Sequence, residues 1–465
     1  MTAARNGGHG ISPQIRILAG GEKRLLTEVG RVDPTSIASY TEHGGYAGLT
    51  RAVEQLGAEG TIDEIARARL RGRGGAGYPT ADKWRAARAA PGDRRIVVAN
   101  LMSSDPTALG ERALAEGNPH LVVEGLIVAA FATGASEAVI AVRRDWPLAV
   151  ERLRAAVAAA TEARLAGYLV LGTDFSVQLS VWEGSTSLVH GEETALLAAL
   201  EGDRGMPVIR PPYPTERGLR GQPTVVQNGE TLAHAAWILN HSAEAFSGVG
   251  SEASPGTKLV TVLGKLGEPG LLEIPLGTPL LDLLTAAGAT RGLTKALFVG
   301  GAGGGAVEAG SLDRVAYDFD ALAEAGATIG SGSVLVTDAD TCMVATARFF
   351  LDISAREACG KAVPCRIGTL RLVETLDRIL AATPRPNDLD LLRDLSRKMR
   401  DTALCHLEAR APGPMLTTLD RFPDEYRAHA ERGVCLAGAC APLDVPPLVA
   451  PLGGGADAAA DASVR

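Results

Sequence analysis

The residues most able to do chemistry fall into two groups. Residues 72 to 77 read GRGGAG, with Arg71, Arg73 and Lys83 close by. Glycines let backbone N–H groups approach an anion closely, and the three cations favour phosphate. The letters satisfy G-x-G-x-x-G, yet a dinucleotide loop should follow a strand, and the preceding IDEIARARLR is helical in pattern. An ordinary Rossmann assignment fails on that context, which leaves a phosphate loop or a tight helix-to-helix turn needing positive φ. The second group is the cysteines: Cys342, Cys359, Cys365, Cys405, Cys435 and Cys440 all lie in the last third of the chain. Six in 465 residues are too sparse for a disulfide framework, and their clustering suggests a local metal site in a reducing compartment. His429, Cys435 and Cys440 are spaced H-x5-C-x4-C. Soft thiolates with imidazole suit zinc, but a structural site needs four ligands and three can be named, so free thiols at a helix end remain the alternative. Cys342 reads as a packing residue on the buried face of a helix.

The elements that must carry these groups follow from length and pattern. A chain of 465 residues suggests two to four domains, and 46% hydrophobic with 22% charged residues is a globular composition. From Ile62 to Leu200 helical and extended patterns alternate: strands are expected at Arg94 to Asn100, Ala138 to Val142 and Phe175 to Trp182. Helices are expected at Ile62 to Leu70, Glu111 to Thr133, Pro147 to Ala166 and Glu192 to Leu200. Strands separated by helices indicate an α/β domain with a largely covered sheet. A proline-rich segment runs to Gly229, and the Gly/Ser-rich stretch from Ser247 to Thr257 reads as a linker. Two strands (Lys258 to Gly264, Gly270 to Ile274), a helix (Leu280 to Ala287) and later strands at Ala296 to Gly300 and Val334 to Thr337 make a small α+β module. Its GGAGGG run, Gly300 to Gly305, reads as a flexible loop. Helices at Met343 to Arg356, Arg366 to Ala381, Leu389 to Leu407 and Leu416 to Arg432 then form a bundle holding the cysteines.

Charge and hydropathy exclude some roles. The net charge of −8 comes with no basic block, so nucleic acid is a poor partner. The most apolar stretch, Leu121 to Val142, is interrupted by Glu124 and Glu137, so no membrane insertion is expected. MTAARNGGHGISPQ has no apolar core after its charges, and a cytoplasmic protein, peripheral at most to a membrane complex, is the expectation.

The longer string RGRGGAGYPT (71 to 80) followed by Lys83-Trp84 strongly resembles the FMN-binding loop of the NADH-binding flavoprotein subunit of respiratory complex I and of related hydrogenase and formate dehydrogenase subunits. Three further strings keep that family's order: GEETALL (191 to 197), LEG with RGMP and PPYP (200 to 214), and Pro223-Thr224 with Asn228 and Glu230-Thr231. The resemblance runs from about Ser39 to Cys440. It implies an α/β FMN- and NADH-binding domain (39–248) after an N-terminal extension (1–38). A ubiquitin-like β-grasp domain (255–337), a helical iron–sulfur domain (338–442) and a disordered tail (443–465) would follow.

The resemblance also implies roles. Gly72, Arg73, Gly74, Gly75, Gly77 and Lys83 would wrap the FMN phosphate and ribityl chain. Tyr78 would stack on the NADH adenine. Glu192 and Glu193 stand for the acidic pair beside flavin and nicotinamide, although two glutamates opening a helix also simply suit its dipole. Arg210 and Tyr213 take the places of a Lys and a Phe near the nucleotide, and Asn228 lies in an Asn-Asn segment whose other member is here Gln227. The family's Asn-Ala-Asp-Glu segment reads Asn100-Leu101-Met102-Ser103, so Asn100 is kept, two carboxylates are replaced, and Asp105 alone preserves an acid. The cluster signature implies Cys359, Cys365 and Cys405 as ligands of a [4Fe–4S] cluster, with Ala362 where a fourth Cys is expected. Water, His406, a three-iron form or an absent cluster would each accommodate that gap. NADH would pass electrons through FMN to the cluster and on to a small thioredoxin-like [2Fe–2S] subunit and larger assemblies. The competing reading is a degenerate, non-catalytic subunit that keeps the fold and a structural flavin.

Overall fold

The structure, a computed structural model, describes residues 10–103 and 105–440. The tail expected to be disordered, 443–465, and the first nine residues of the N-terminal extension lie outside the described residues. Ten strands are found among those described: β1 (Ile17–Gly21), β2 (Ile96–Leu101), β3 (Glu137–Arg143), β4 (Gln178–Gly184), β5 (Thr224–Asn228), β6 (Thr257–Gly264), β7 (Gly270–Pro275), β8 (Ala296–Val299), β9 (Gly305–Glu308) and β10 (Ser333–Thr337).

The first sheet is parallel throughout, in the order β4-β3-β2-β5. Its central strands, IVVANL and EAVIAVR, are near-continuous apolar runs because helices cover the sheet. Chain order reverses between β2 and β5, and there Asn100 pairs in register with Asn228. In such sheets the crevice beyond the carboxyl ends at the reversal is where ligands bind. Beneath the sheet the helix Pro119–Thr133 is buried on nearly every side. At Gly125 it crosses the helix Gly229–Asn240 so closely that a Cβ would collide with the Leu232 carbonyl. The single helix expected over Glu111 to Thr133 is two, Gly110–Gly117 and Pro119–Thr133. Proline can begin a helix but not continue one, so the chain turns at Asn118.

The second sheet is mixed, in the order β1-β7-β6-β10-β8-β9, with the helix Leu280–Ala286 packed on it through Leu280, Leu283 and Leu284. Part of the expected N-terminal extension is thus structural: β1 pairs parallel with β7, and the buried Glu273 carboxylate accepts the N–H groups of Arg24, Leu25 and Leu26. The GGAGGG run is not a loose loop. Gly300 and Gly301 have positive φ, Gly301–Gly303 forms a tight turn, and β9 begins at Gly305. The Ser247-to-Thr257 linker is pinned, since Arg73 donates to the carbonyls of Pro255 (2.6 Å) and Thr257 (2.9 Å). Across the same seam Lys258 pairs with Glu230, both buried.

The carboxyl-terminal third is a helical bundle: Met343–Glu357, Val363–Leu380, Asp388–Asp401, His406–Arg410, Gly413–Arg421 and Pro423–Arg432. Its core includes Leu351, Leu372, Leu376, Leu392 and Met415. The helix expected from Leu389 to Leu407 stops at Asp401, which frees Cys405 to sit at the head of a new short helix. No described helix is long and apolar enough to cross a membrane.

Candidate active site

One cavity of about 1050 Å³ opens at the β2/β5 reversal. That is at the upper end of the ~300–1,000 Å³ typical of small-molecule sites. The glycine loop forms one wall. A hairpin closes it: the Gly72 N–H donates to the Tyr78 carbonyl (2.8 Å) and Arg71 Nε to the Gly77 carbonyl (2.8 Å). Gly75 (φ +113°) and Gly77 (φ +65°) adopt left-handed backbone, and a Cβ on Gly77 would strike the Phe319 ring. A side chain there would be strained and would push the loop off the second sheet. Gly72, Gly74, Gly75, Gly77, Tyr78 and Lys83 all face the cavity.

Arg73 does not, and this corrects the expectation that it holds phosphate. Its side chain is fully buried and its guanidinium donates to the carbonyls of Arg71, Pro255 and Thr257. Its own N–H is taken by Thr231 Oγ1 (2.8 Å). With every donor directed into the protein, it fastens the loop to the segment leading into the second sheet. Burial pulls it down to about 10, still protonated at neutral pH.

The opposite wall carries the acidic pair. Glu192 caps the helix Glu193–Leu200: its Oε2 accepts from Ala195 N–H (2.8 Å) and Thr194 Oγ1 (2.6 Å). For this residue the helix-capping role is realised, although it also lines the cavity. Glu193 reaches two cations, Lys83 Nζ at 3.1 Å and Arg210 at 2.6 Å. Burial would raise its carboxyl, but Lys83 and Arg210 outweigh that and hold it below its usual range. Burial raises Glu192, against its hydrogen bonds to Thr194 and Ala195. Tyr78 and Tyr213, each 54% exposed, offer aromatic faces at the cavity wall.

The floor is the strand ends. Asn100 bridges Met102 N–H and the Gly191 carbonyl, and Asn228 caps the helix Gly229–Asn240 while its amide donates to Glu111 Oε1 (2.8 Å). Asp105 lines the cavity and accepts hydrogen bonds from Thr107 on one oxygen and from Ser333 on the other, which ties the loop after β2 to the second sheet. Met102 is not in the lining: it is fully buried, packing with Val98, Trp182 and the helix Glu193–Leu200. Glu111, which no motif singles out, is a buried cavity carboxyl that burial pushes up to about 8. Its signal was present: an acid beside Leu114 and Ala115 on the apolar stripe of a helix.

FMN fits this lining. Gln227 Oε1 and Thr80 Oγ1, both buried on the cavity wall, have no hydrogen-bond partner among the described residues. The amide oxygen offers an acceptor to a flavin-type ring N–H, and the hydroxyl, at the head of the helix Thr80–Ala89, offers a donor to phosphate. Cys359, Cys365 and Cys405, each half-buried, line the same cavity. Cys365 lies in the first turn of Val363–Leu380 and Cys405 heads His406–Arg410. Burial, with Glu408 and the two other cysteines, pushes the Cys365 thiol up to about 12. A bound metal reverses that preference, and three convergent thiols suit an iron–sulfur group. Arg204 donates to the Cys359 carbonyl and Lys361 to the Pro207 carbonyl, tying this corner of the bundle to the acidic wall.

The second cysteine group gains a member. Cys342, expected as packing, caps Met343–Glu357, and its Sγ lies 3.3 Å from His429 Nε2. The ligand atoms of Cys342, His429, Cys435 and Cys440 fall within 4.8 Å of one another. Sequence spacing hid Cys342 because 87 residues separate it from His429.

Comparison with known proteins agrees with this geometry. Residues 65–237 match the Nuo51 FMN-binding domain, and residues 345–429 match the NADH-ubiquinone oxidoreductase-F iron-sulfur binding region. The chain is 41% identical to the NADP-reducing hydrogenase subunit HndC of Solidesulfovibrio fructosivorans, over 89% of this chain and 84% of that one. It is 35% identical to the second F-type subunit of the NADH-quinone oxidoreductase of Rhizobium meliloti, over 89% and 99% respectively. Among solved structures, an NAD+-reducing [NiFe]-hydrogenase in the H2-reduced state superposes with a TM-score of 0.80 at 31% identity, covering 90% of this chain and 68% of that one.

Proposed function

The chain belongs to the family that joins the F-type subunits of NADH-quinone oxidoreductase, or complex I, with the corresponding subunits of NAD(P)-linked hydrogenases, and from that premise we propose that it is an electron-input subunit oxidising NADH. One observation carries the reading: a single cavity is lined at once by the glycine loop, the acidic pair and all three cluster-type cysteines. FMN, when bound, accepts two electrons with a hydride and releases them one at a time. The chain's own residues supply the rest. Loop amides with Thr80 and Lys83 grip phosphate. Gln227 and Asn228 orient the ring. Glu193, kept ionised between Lys83 and Arg210, presents negative charge and fixed geometry where the nicotinamide enters. Tyr78 and Tyr213 provide stacking faces for adenine. The cysteines, tied to the same wall by Arg204 and Lys361, would hold an iron–sulfur group that takes up those electrons.

The degenerate alternative rests on Met102, Ser103 and Ala362; Met102 is packed in the core, whereas Ser103 lines the cavity in place of a carboxylate and, with Ala362, remains its argument. Anaerobic isolation tests the reading. Bound FMN, iron and bleaching of the flavin by NADH are expected, whereas flavin without iron or bleaching would favour the non-catalytic subunit.

The remaining assignments extend the same proposal. Numbered from β6, the second sheet runs 2-1-5-3-4 with its first and last strands parallel, which supports a β-grasp module between the flavin domain and the bundle. The intended acceptor is a small [2Fe–2S] subunit, and the setting is the cytoplasm or the inner face of a membrane complex. Cys342, His429, Cys435 and Cys440 hold structural zinc: three thiolates and an imidazole make a closed tetrahedral set, whose edges at Zn–S ~2.3 Å are about 3.8 Å.

A further inference from the structure

The cluster-type cysteine set is one ligand short, since Ala362 ends in a methyl group that cannot bind iron. Glu408, three residues past Cys405, lines the cavity and is 1% exposed. Its Oε2 accepts the Leu404 N–H at 2.8 Å. That contact is an ordinary helix-start device and accounts for one oxygen. Oε1 is buried and has no hydrogen-bond partner among the described residues. A buried carboxylate oxygen without a partner is costly to maintain. Cys359, Cys365 and Cys405 line the same cavity as Glu408. His406, the substitute ligand that the sequence suggested, is exposed and feels Arg410, Arg210 and Glu193, which places it toward the acidic wall.

We propose that Glu408 supplies the fourth protein ligand, through Oε1, to an iron–sulfur cluster held by Cys359, Cys365 and Cys405. The assignment rests on the electron-input reading. A carboxylate is a harder, more exchangeable ligand than thiolate, so the iron it holds is the one most easily lost.

The test uses the full-length chain, isolated anaerobically and reconstituted with iron and sulfide. Glu408→Gln is the informative variant, because an amide oxygen still accepts the Leu404 N–H while the anionic ligand is gone. Wild type is expected to hold about four irons per chain. Glu408→Gln and Glu408→Ala are expected to fall to about three and to show a three-iron EPR signal when oxidised, with flavin content unchanged. Ala362→Cys placed in the Glu408→Gln chain should restore about four irons and remove that signal. If Glu408→Gln keeps wild-type iron and an unchanged spectrum, the assignment is wrong and the electron-input reading stands. If wild type binds FMN but no iron after reconstitution, both fall together.

Discussion

Among single residues, Glu193 and Glu111 show how one cavity sets two carboxyls apart. Glu193 is half-buried, meets two cations and is held low, whereas Glu111 is fully enclosed and burial raises it, with Glu230 adding to the rise and Lys258 and the Gly229 N–H opposing it. Substituting Glu193→Gln leaves Lys83 and Arg210 without their anion. Steady-state assays should show NADH oxidation falling on the order of a hundredfold, with FMN content retained. For Glu111 the folded value, about 8, lies above the ordinary 4.5. The folded chain therefore binds a proton that the unfolded chain has released, and this contribution is complete below about 4.5 and lost as pH climbs through about 8. Denaturant titrations across that window should show stability declining by on the order of 4 to 5 kcal/mol from this group. In Glu111→Gln the decline should flatten; an unaltered slope would assign the pH dependence elsewhere.

Elements decide which of these residues can act. The glycine loop keeps its shape because Arg73 nails it to the carbonyls at 255 and 257, a task resembling neither phosphate binding nor simple packing. Replacing Arg73 with Ala orphans those carbonyls beside an emptied site. A loss of about 3 kcal/mol is expected, with faster proteolytic nicking between 249 and 257 and weaker FMN retention. The carboxyl-terminal segment makes a parallel case. Cys435 and Cys440 lie beyond the last helix, Pro423–Arg432, packed against the bundle core, and shared ligation with Cys342 and His429 would fasten them to the bundle start. Elemental analysis should find about one zinc per chain, and Cys342→Ser should lose it and lower the melting temperature of the bundle. Retention of zinc by that variant would exclude Cys342 as a ligand.

In the whole molecule, function depends on surfaces meeting across domains. The cavity takes its glycine wall and acids from the first domain, Gly300 and Ser331 from the second, and its cysteines from the bundle. Arg204 and Lys361 bond across the boundary between acids and cysteines, and Glu357 accepts the Leu188 N–H at 3.0 Å beside them. Removing both long side chains (Arg204→Ala with Lys361→Ala) should leave NADH bleaching of the flavin near wild type while slowing the appearance of reduced-cluster EPR signal severalfold. Equal slowing of both would show that the tie serves nucleotide binding instead.

Much of this was legible beforehand. Alternation of apolar runs with 3.6-residue periodicity marked β2, β3 and most helices, since burial on a covered sheet leaves a strong local pattern. β5 and β9 were missed because five and four residues, flanked by proline and glycine, carry too little pattern to stand out. That the glycine loop, Glu193, Lys83 and the cysteines at 359 and 365 would meet at one site was readable from short strings, and Cys405 from its spacing, and all of them line the cavity. Other facts arise only when distant segments meet: Arg73 turning inward, Met102 facing the core, Glu111 and Glu408 buried at the cavity, and Cys342 joining ligands 87 residues away. Residue type and local order thus set which chemistries this chain carries. Which side chains share a dielectric and a partner is a property of packing, and only the folded arrangement decides it.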